Sequence, residues 1–331
     1  MKSGNDAKKH RPGENPESAE QKKVYRTGDE RKKLLFLFNP TSGKGQIRTK
    51  LVDILNVFVS GGYEVTAHPT QAENDAREMV ELHAPEYDLV VCSGGDGTLN
   101  EAVSGMMALE DRRPLGYIPA GTTNDFAQSL EIPKDMAEAA KLAVGEDEFA
   151  IDIGKFDHSY FTYVAAFGVF TDVSYQTSQS LKHVLGHGAY VVEGVKRLKD
   201  IPSYAMEVEA NGEVIRGNFI YGMIANSHSV GGIKNMMGSG ICLDDGLLEV
   251  NLIKYPQNPV QLNEILTNLM MPKNLDTEYI YRFKTDHIVL RSGNPIPWTL
   301  DGEFGGDHRR AEITDCRQAV KIKAKHQQQG S

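Results

Sequence analysis

A glycine-rich turn between an apolar run and an amphipathic segment is the feature that most restricts how this chain can fold. The apolar run covers residues 89 to 92, and the turn reads Ser-Gly-Gly-Asp-Gly over residues 93 to 97. The segment that follows, from residue 99 to 106, places its apolar residues on one helical face. This order is typical of a strand, a turn and a helix in an open α/β sheet. We expect Gly94, Gly95 and Gly97 to adopt positive φ and to let backbone N–H groups approach an anion at the helix N-terminus.

Asp96 lies at the tip of this turn. A carboxylate among N–H donors is unsuited to binding an anion by itself, whereas a hard divalent cation takes oxygen ligands. We therefore interpret the turn as a phosphate site in which a metal ion joins Asp96 to the phosphates. A tight turn in which Asp96 only caps the helix is the alternative.

Short apolar runs alternate with amphipathic segments from residue 34 to about residue 150. This alternation predicts an α/β domain with a parallel sheet covered by helices. Predicted strands are 34–38, 63–67, 88–92 and 115–118, and predicted helices are 47–58 and 75–82. Gly61 and Gly62 are predicted to end the first helix. Each polar glycine-containing turn then follows a strand, where open α/β sheets bind ligands.

The second half of the chain reads as mainly antiparallel β. Residues 205–210 and 214–223 flank Asn211-Gly212, which suits a two-residue type I′ hairpin turn. Further strands are predicted at 247–253, 279–283, 287–291 and 296–300, with helical patterns at 181–198 and 260–270. The predicted domains are 34–150 and 151–324, with the last strand free to return to the first domain. Residues 1–33 and 325–331 are predicted to be tails, since large apolar residues are nearly absent there.

Charge and cysteine content exclude several classes of protein. The net charge is −9, and the first 33 residues are basic, so the globular remainder is more acidic still, which argues against a nucleic-acid-binding face. Cys92, Cys242 and Cys316 are far apart, so a zinc site or a disulfide framework is not expected, and a reducing cytoplasm fits. No segment approaches the roughly 20 apolar residues of a membrane span.

Two further polar turns follow predicted strands. Residues 39–45 read Asn-Pro-Thr-Ser-Gly-Lys-Gly, in which Lys44 is a candidate phosphate ligand. Residues 121–127 read Gly-Thr-Thr-Asn-Asp-Phe-Ala, in which Asn124 and the Thr hydroxyls are candidate donors to a nucleotide and Asp125 is a candidate acceptor. A plain strand-to-helix turn is the alternative for the first stretch, and helix capping by Thr123 or Asp125 for the second.

Two acidic turns lie in the second half. Thr-Leu-Asp-Gly-Glu at 299–303 places Asp301 and Glu303 at the end of a strand, and a carboxylate across a domain cleft from a metal-bound phosphate is a candidate general base. A β-turn with solvated acids is the alternative. Asp244-Asp245-Gly246 would suit a structural divalent cation or an ordinary turn.

Together, the stretches NPTSGK, GGDGTLNE, GTTNDFA and LDGEFGG make residues 34–324 resemble the bacterial soluble diacylglycerol kinases, a family of lipid kinases. The resemblance implies a Rossmann-like N-terminal domain and a C-terminal β-sandwich domain, with ATP and Mg²⁺ in the cleft between them. It further implies that Asp301 is the general base, that Asp96 is linked to Mg²⁺ through water, that Asp245 binds a structural Mg²⁺, and that Lys44 is a basic residue of the site.

The candidate residues follow from the motifs and the resemblance together. The candidate ATP-binding residues are Asn39, Thr41, Ser42, Lys44, Gly94, Gly95, Gly97, Thr98, Glu101, Thr122 and Asn124. The candidate metal ligands are Asp96, Asp125 and Asp245, the candidate catalytic residues are Asp301 and Asp96, and Glu303 and Lys182 are supporting candidates. Gln128 stands where the family usually has Arg, so either Arg48, Lys50 or Lys182 takes its role or the affinity for anionic lipid is weaker.

The expected reaction is phosphoryl transfer from ATP to the free hydroxyl of diacylglycerol, giving phosphatidic acid and ADP. Since the acceptor lies in a bilayer, we expect peripheral contact with the inner face of the membrane, for which residues 181–198 are a candidate segment and core packing of those residues the alternative. Kinases acting on a sphingoid or other lipid or on NAD share the glycine-rich turn and stay open, as do a non-catalytic nucleotide-binding regulator and a homodimer.

Overall fold

The computed structural model describes residues 31–122, 124–169, 202–227, 229–230, 233–234, 242–270 and 277–325. Three predictions therefore lie outside the described residues: most of both tails, the helical pattern at 181–198 with Lys182, and a capping role for Thr123. The side chain of Lys44 also lies outside the described part, although its backbone is included.

Parallel strands form one end of the main sheet in the order β2-β1-β3-β4. Their bounds are β1 Lys32–Phe38, β2 Tyr63–Pro69, β3 Leu89–Gly94 and β4 Leu115–Pro119. The apolar runs of β1, β3 and β4 are buried, as expected for central parallel strands covered on both faces. All four predicted strands are confirmed, and β1, β3 and β4 end where the polar turns begin.

Helices connect and cover these strands. They are Ile47–Ser60, Asp75–His83, Asp96–Met107, Asp125–Ser129 and Met136–Ala143, with short 3₁₀ turns at Ser42–Gly45 and Ala84–Glu86. The first two are confirmed, and Gly61 ends the first as predicted. The helix after the glycine-rich turn begins at Asp96 itself, so the free N–H groups of its first turn belong to the motif.

Antiparallel strands form the rest of the molecule. They are β5 Phe149–Phe156, β6 Ser159–Phe161, β7 Val164–Gly168, β8 Tyr204–Ala210, β9 Glu213–Ala225, β10 Ser229–Val230, β11 Ile233–Lys234, β12 Leu248–Lys254, β13 Ile280–Thr285, β14 His287–Leu300 and β15 Glu303–Ile322, with a helix at Pro259–Met270. The predicted hairpin is confirmed as β8–β9, since Asn211 and Gly212 have φ of 52° and 76°. Residues 287–300 form one strand with a register shift between Arg291 and Ile296, rather than the two predicted strands.

Strand β15 links the two halves of the fold. It pairs antiparallel with β14 and β5, and at its end Ile322 pairs in parallel with Leu115 of β4. Sequence reasoning assigned no strand to residues 303–322, because exposed charged residues interrupt the alternation of apolar side chains. The C-terminal end of β15 thus lies beside the parallel strands.

Two hydrophobic clusters stabilise the fold. One surrounds the parallel strands and includes Phe36 and Phe58, whose rings meet edge to face at 5.2 Å. The other lies among the antiparallel strands, where the rings of Phe156 and Phe167 pack edge-on against buried Trp298 at 5.0 and 4.9 Å. Of the helices that the structure describes, none has the combination of length and hydropathy needed to cross a membrane.

Candidate active site

Three polar turns meet at the carboxyl edge of the parallel strands. The loop after β1 approaches the loop after β4 so closely that a Cβ on Gly43 would lie 1.6 Å from the carbonyl oxygen of Ala120. Gly43 also has a φ of 53°, which favours glycine. A Cβ on Gly121 would lie 2.7 Å from Cα of Gly95, so the loop after β4 also packs on the loop after β3.

Of the three glycines of the GGDG turn, Gly94 is the one that close packing requires. The prediction of positive φ at Gly94, Gly95 and Gly97 is wrong, since none of them has a φ in that region. A Cβ on Gly94 would instead lie 2.3 Å from Oγ1 of Thr98, because the helix begins immediately after Gly95 and folds back over the end of β3. The turn therefore needs glycine for space at Gly94.

Asp96 begins the helix and turns its carboxylate toward the turn after β4. Its Oδ2 accepts a long hydrogen bond from the backbone N–H of Asp125 at 3.4 Å. Its Oδ1 is buried and has no hydrogen-bond partner among the described residues. Burial, reinforced by the charges of Asp125 and Asp301, raises the pKa of Asp96 to about 6. Asp125 and Asp301 thus both lie close enough to Asp96 to repel its charge, although they are distant from it in sequence.

The loop after β1 is held by its own side chains. Oδ1 of Asn39 accepts from the backbone N–H and the hydroxyl of Thr41 at 2.9 and 2.8 Å, and the backbone N–H of Asn39 donates to the carbonyl of Ser93 at 2.8 Å. Ser42 then opens the 3₁₀ turn that carries Lys44. Nε of Arg48 donates to the carbonyl of Pro40 at 3.1 Å, which places a guanidinium beside the loop.

Asn124 closes the turn after β4. Its Nδ2 donates to the carbonyl of Gly121 at 2.8 Å, and its Oδ1 accepts from the N–H of Gly121 at 2.9 Å. Asn124 has a φ of 50°, and Asp125, which begins the next helix, is buried. Thr122 is exposed and Gln128 is half-buried. The amide of Asn124 therefore shapes the loop that bears Asp125.

Glu101, the last residue of the motif, contacts the helix Asp75–His83. Its two carboxylate oxygens accept from the backbone N–H groups of Asn74 at 2.9 Å and Ala76 at 3.2 Å. Asn74, the N-cap of that helix, makes no capping bond with its own side chain. Glu101 thus supplies the acceptors that an N-cap side chain normally supplies.

Asp301 lies in the two-residue turn between β14 and β15. Asp301 and Gly302 have φ of 50° and 87°, the pattern of a type I′ turn. Asp301 is only 5% exposed, so the solvated turn that the sequence left open is excluded for this residue, whereas Glu303 is exposed.

Five donors surround the carboxylate of Asp301. Oδ1 accepts from the backbone N–H groups of Tyr163 at 2.9 Å and Val164 at 3.0 Å. Oδ2 accepts from the N–H and hydroxyl of Thr162 at 2.6 and 2.7 Å and from Nδ2 of Asn100 at 2.7 Å. Burial raises the pKa of Asp301, and the hydrogen bonds oppose that rise. The carboxylate is thereby fixed in position.

Two adjoining cavities lie over these residues. The loop-side cavity, about 450 Å³, lies between the loop after β1, residues 70–73 and the GGDG turn. The Asp301 cavity, about 590 Å³, is lined by Asp301, Asn100, Tyr160 and Phe304. Gly97, Glu101, Glu73 and Glu303 line both. The arrangement can hold a phosphorylated ligand on one side and a second reactant, in contact with Asp301, on the other.

Asp245 belongs to a second group of acids. Its Oδ2 pairs with Nζ of Lys284 at 2.9 Å, and its Oδ1 accepts from the N–H of Leu247 at 3.0 Å. Both carboxylate oxygens of Asp315 are buried without a hydrogen-bond partner in the described part of the chain. Burial, followed by the charges of Asp152, Asp245 and Asp286, raises the pKa of Asp315 to about 7.

The residues present fit Mg²⁺ held partly by water. Within the described ranges, no group of three or more His, Cys, Asp or Glu side chains is arranged to hold a metal ion. Mg²⁺ bound through one or two carboxylates, water and substrate phosphates needs no such group. The unpartnered Oδ1 of Asp96 fits that mode, and the unpartnered oxygens of Asp315 would accept a cation beside Asp245.

Sequence reasoning missed several residues that contact the candidates. Asn100 and Thr162 donate to Asp301, and Tyr163 is buried, its pKa raised by burial and by Asp301, Asp96 and Asp125. Asp152 accepts from the N–H groups of Gly246 at 2.7 Å and Gln318 at 2.6 Å. Asn100 lies inside the quoted motif, one helical turn after Asp96, and that spacing was the available signal.

Comparisons with known proteins agree with this geometry. Residues 33–156 match the diacylglycerol kinase catalytic domain, and residues 164–317 match the YegS C-terminal NAD kinase beta sandwich-like domain. The diacylglycerol kinase of Bacillus subtilis (strain 168) is 32% identical over 277 residues, which cover 83% of this chain and 91% of that one. That of Staphylococcus carnosus (strain TM300) is 31% identical over 293 residues, covering 88% and 95%.

A solved structure shares the fold. The crystal structure of a diacylglycerol kinase from Bacillus anthracis str. Sterne matches with a TM-score of 0.70 and 22% identity, covering 89% of this chain and 98% of that one. The predicted fold class, an α/β domain followed by a β-sandwich domain, is confirmed. From the family models and the curated relatives together, the chain belongs to the diacylglycerol kinase family.

Proposed function

We propose that this protein transfers the γ-phosphoryl group of ATP to the free hydroxyl of a membrane diacylglycerol, giving phosphatidic acid and ADP. Family membership supports an ATP-dependent lipid kinase. The observation that carries the proposal is the buried carboxylate of Asp301 in the wall of a cavity that adjoins the phosphate-binding turns. A kinase needs such a pair of subsites, since the donor and the acceptor must meet in line.

We assign the loop-side cavity to the nucleotide. The free N–H groups in the first turn of the helix at Asp96 point into a site suited to phosphate oxygens. Asn39, Thr41 and Asn124 shape the two flanking loops, and Lys44 is proposed as a phosphate ligand. Asp96 and Asp125 would hold Mg²⁺, which neutralises charge on the transferring phosphoryl group when it is bound.

We assign proton acceptance to Asp301. The acceptor hydroxyl enters through the Asp301 cavity, its oxygen bonds to the γ-phosphorus, and the bond from that phosphorus to the bridging oxygen of ADP breaks. The hydroxyl proton passes to the carboxylate of Asp301, which lines this cavity together with Asn100, and one of the hydrogen bonds to the carboxylate gives way to it. Burial raises the pKa of Asp301 and so favours proton acceptance, while its hydrogen bonds favour the charged form that is ready to accept.

A lipid panel tests the proposed function. ADP release is measured with diacylglycerol, a sphingoid base and a monoacylglycerol in mixed micelles, with NAD in solution, and each with and without Mg²⁺. We expect turnover with diacylglycerol that depends on Mg²⁺ and on the surface concentration of lipid. Faster turnover with NAD or a sphingoid base would show that this compound, and not diacylglycerol, is the acceptor. ATP binding without turnover on any acceptor would indicate a regulator.

We further propose that the protein works at the inner face of the cytoplasmic membrane, because its acceptor lies in the bilayer. Sedimentation with phosphatidylglycerol vesicles tests this, and reduced binding of Lys182→Glu and Lys196→Glu would support residues 181–198 as the contact. Unchanged binding of both variants would count against that segment. Sedimentation of the protein alone reports whether it forms the homodimer that the sequence leaves open.

A further inference from the structure

Asn100 donates a hydrogen bond to Asp301 from a different half of the fold than the other described donors. Four of the five described donors to the carboxylate come from residues 162–164, in the β-rich half that also contains Asp301. Asn100 comes from the helix Asp96–Met107, which belongs to the α/β half. The bond of 2.7 Å therefore connects Asp301 directly to the element that begins with Asp96.

The amide of Asn100 is fixed at both ends. Its Nδ2 donates to the carbonyl of Tyr160 at 3.1 Å as well as to Asp301, and its Oδ1 lies 3.4 Å from the hydroxyl of Ser104, which donates to it. Because the oxygen faces Ser104, the NH₂ group faces Asp301. Asn100 and Asp96 are four residues apart on one helix, so they share a face one turn apart. A single rigid helix thus sets the distance from Asp96 to Asp301.

Asn100 also lies at the open side of Asp301. Both residues line the Asp301 cavity, whereas Thr162 and Val164 do not line it. A hydroxyl that enters this cavity therefore approaches Asp301 beside Asn100. The amide can then keep the carboxylate that it contacts aligned with the incoming hydroxyl.

We propose that Asn100 is a positioning residue that holds Asp301 in register with the phosphate-binding turn, so that the acceptor hydroxyl is in line with the γ-phosphoryl group. The inference rests on the proposed function. It assigns Asn100 an effect on turnover through Asp301 and none on nucleotide affinity, because Asn100 does not line the loop-side cavity.

Thr162 provides a matched control. Thr162→Val and Asn100→Ala each remove one side-chain donor, at 2.7 Å, from the same oxygen of Asp301. Each variant should therefore lower the unfolding midpoint by a similar amount. The two variants differ in which half of the fold the lost bond came from, so a purely structural role would affect both alike.

The experiment measures kcat, the KM for ATP and the unfolding midpoint for the wild-type chain of residues 1–331 and for both variants, on whichever acceptor of the panel the wild type phosphorylates. We expect Asn100→Ala to lose about 100-fold in kcat with an unchanged KM for ATP, and Thr162→Val to lose less than about fivefold. Equal losses of kcat, or a loss expressed in the KM for ATP, would overturn the inference.

The two proposals fail in different ways. Wild-type turnover on another acceptor, with the expected difference between the variants, would reject diacylglycerol and leave the role of Asn100 standing. Wild-type turnover on diacylglycerol, with equal losses of kcat in the two variants, would support diacylglycerol as the acceptor and reject the role of Asn100. Absence of turnover on every acceptor would overturn both.

Discussion

The backbone N–H of Asp125 donates to Oδ2 of Asp96 at 3.4 Å, so the first residues of two helices that follow adjacent strands contact each other. Both residues are acidic, and Asp301 adds a third carboxylate from the other half of the fold. Like charges at this spacing oppose folding unless a cation or a proton offsets them. The proposed chemistry and the stability of the protein are therefore linked through the same side chains.

Asp96→Asn is expected to make the protein more stable at neutral pH in the absence of divalent cations. The folded protein keeps a proton on Asp96 up to about pH 6, while the unfolded chain releases it near the ordinary value of 3.8. The free energy of unfolding of the wild type therefore falls as pH rises between these values, by roughly 2 kcal/mol, and the variant lacks this part of the fall. Urea unfolding at pH 4.5 and 7.5 measures the difference, and an equal difference at both pH values would contradict it.

Asp301→Asn is expected to lower kcat by more than about 100-fold, the usual contribution of a general base. Each described hydrogen bond of the carboxylate comes from a donor, so the NH₂ group of the Asn amide would face a donor. This mismatch should lower the free energy of unfolding by about 1–3 kcal/mol. ATP binding, measured by calorimetry, should persist. Asp307→Asn, at an exposed position of β15, is the control and should retain turnover.

Gly43→Ala is expected to weaken ATP binding by at least about tenfold, because its Cβ would push the loop after β1 away from Ala120. Gly62→Ala separates this effect from backbone strain. Gly62 has a φ of 89°, but a Cβ added there would have no other atom within 4 Å, so its variant should lose about 1 kcal/mol of stability and bind ATP normally. Similar ATP affinities for the two variants would argue against the close approach as the cause.

Glu101→Ala is expected to raise the KM for ATP by about tenfold. The variant loses the carboxylate that accepts hydrogen bonds from the backbone N–H groups of Asn74 and Ala76. These residues adjoin residues 70–73, which line the loop-side cavity. Glu101→Gln keeps one acceptor oxygen and should lie between the Ala variant and the wild type. Glu78→Ala removes an exposed acid from the helix Asp75–His83, which Glu101 contacts, and serves as the control. If Glu101→Gln and Glu101→Ala lose kcat equally and keep a normal KM for ATP, Glu101 acts on the phosphoryl group and does not act through the loop.

Asp315→Asn is expected to reduce the stabilisation that Mg²⁺ gives to the folded protein. Its unpartnered oxygens beside Asp245 would take a cation, and without one their mutual repulsion with Asp152 and Asp245 destabilises the fold. The thermal unfolding midpoint of the wild type should rise by several degrees with millimolar Mg²⁺, and that of the variant by much less. Asp111→Asn, at a highly exposed position, should respond as the wild type does, and an equal response of all three proteins would exclude a site here.

Local sequence patterns predicted much of the fold. The apolar runs of β1, β3 and β4 and the Asn211-Gly212 hairpin depend on neighbouring residues, and all are present. Strand β15 was missed because its pairing with β4, β5 and β14 comes from distant segments, while its own sequence is rich in exposed charge. The segment at 292–295 was expected to separate two strands, yet β14 continues through it with a register shift.

The candidate site was predicted unevenly for the same reason. Motifs placed Asp96, Asp125 and Asp301 in one site, and the structure brings them together. The sequence could not show that Asn124 and Glu101 use their side chains to hold backbone, because these bonds depend on the path of loops. Asp315 was overlooked, since it approaches Asp152 through the pairing of β15 with β5 and approaches Asp245, in a turn, only through the fold.

Strand β15 joins the two parts of the candidate site. It starts beside Asp301 and ends beside β4, so one continuous strand runs from the proposed base to the parallel strands that carry the polar turns. Its pairing with β5 shifts register between Cys316 and Val320, and Gln318 there has a φ of 48°. The backbone N–H of Gln318 donates to Oδ1 of Asp152 at 2.6 Å, so a side chain of β5 holds β15 at the point where the backbone ladder between the two strands is interrupted.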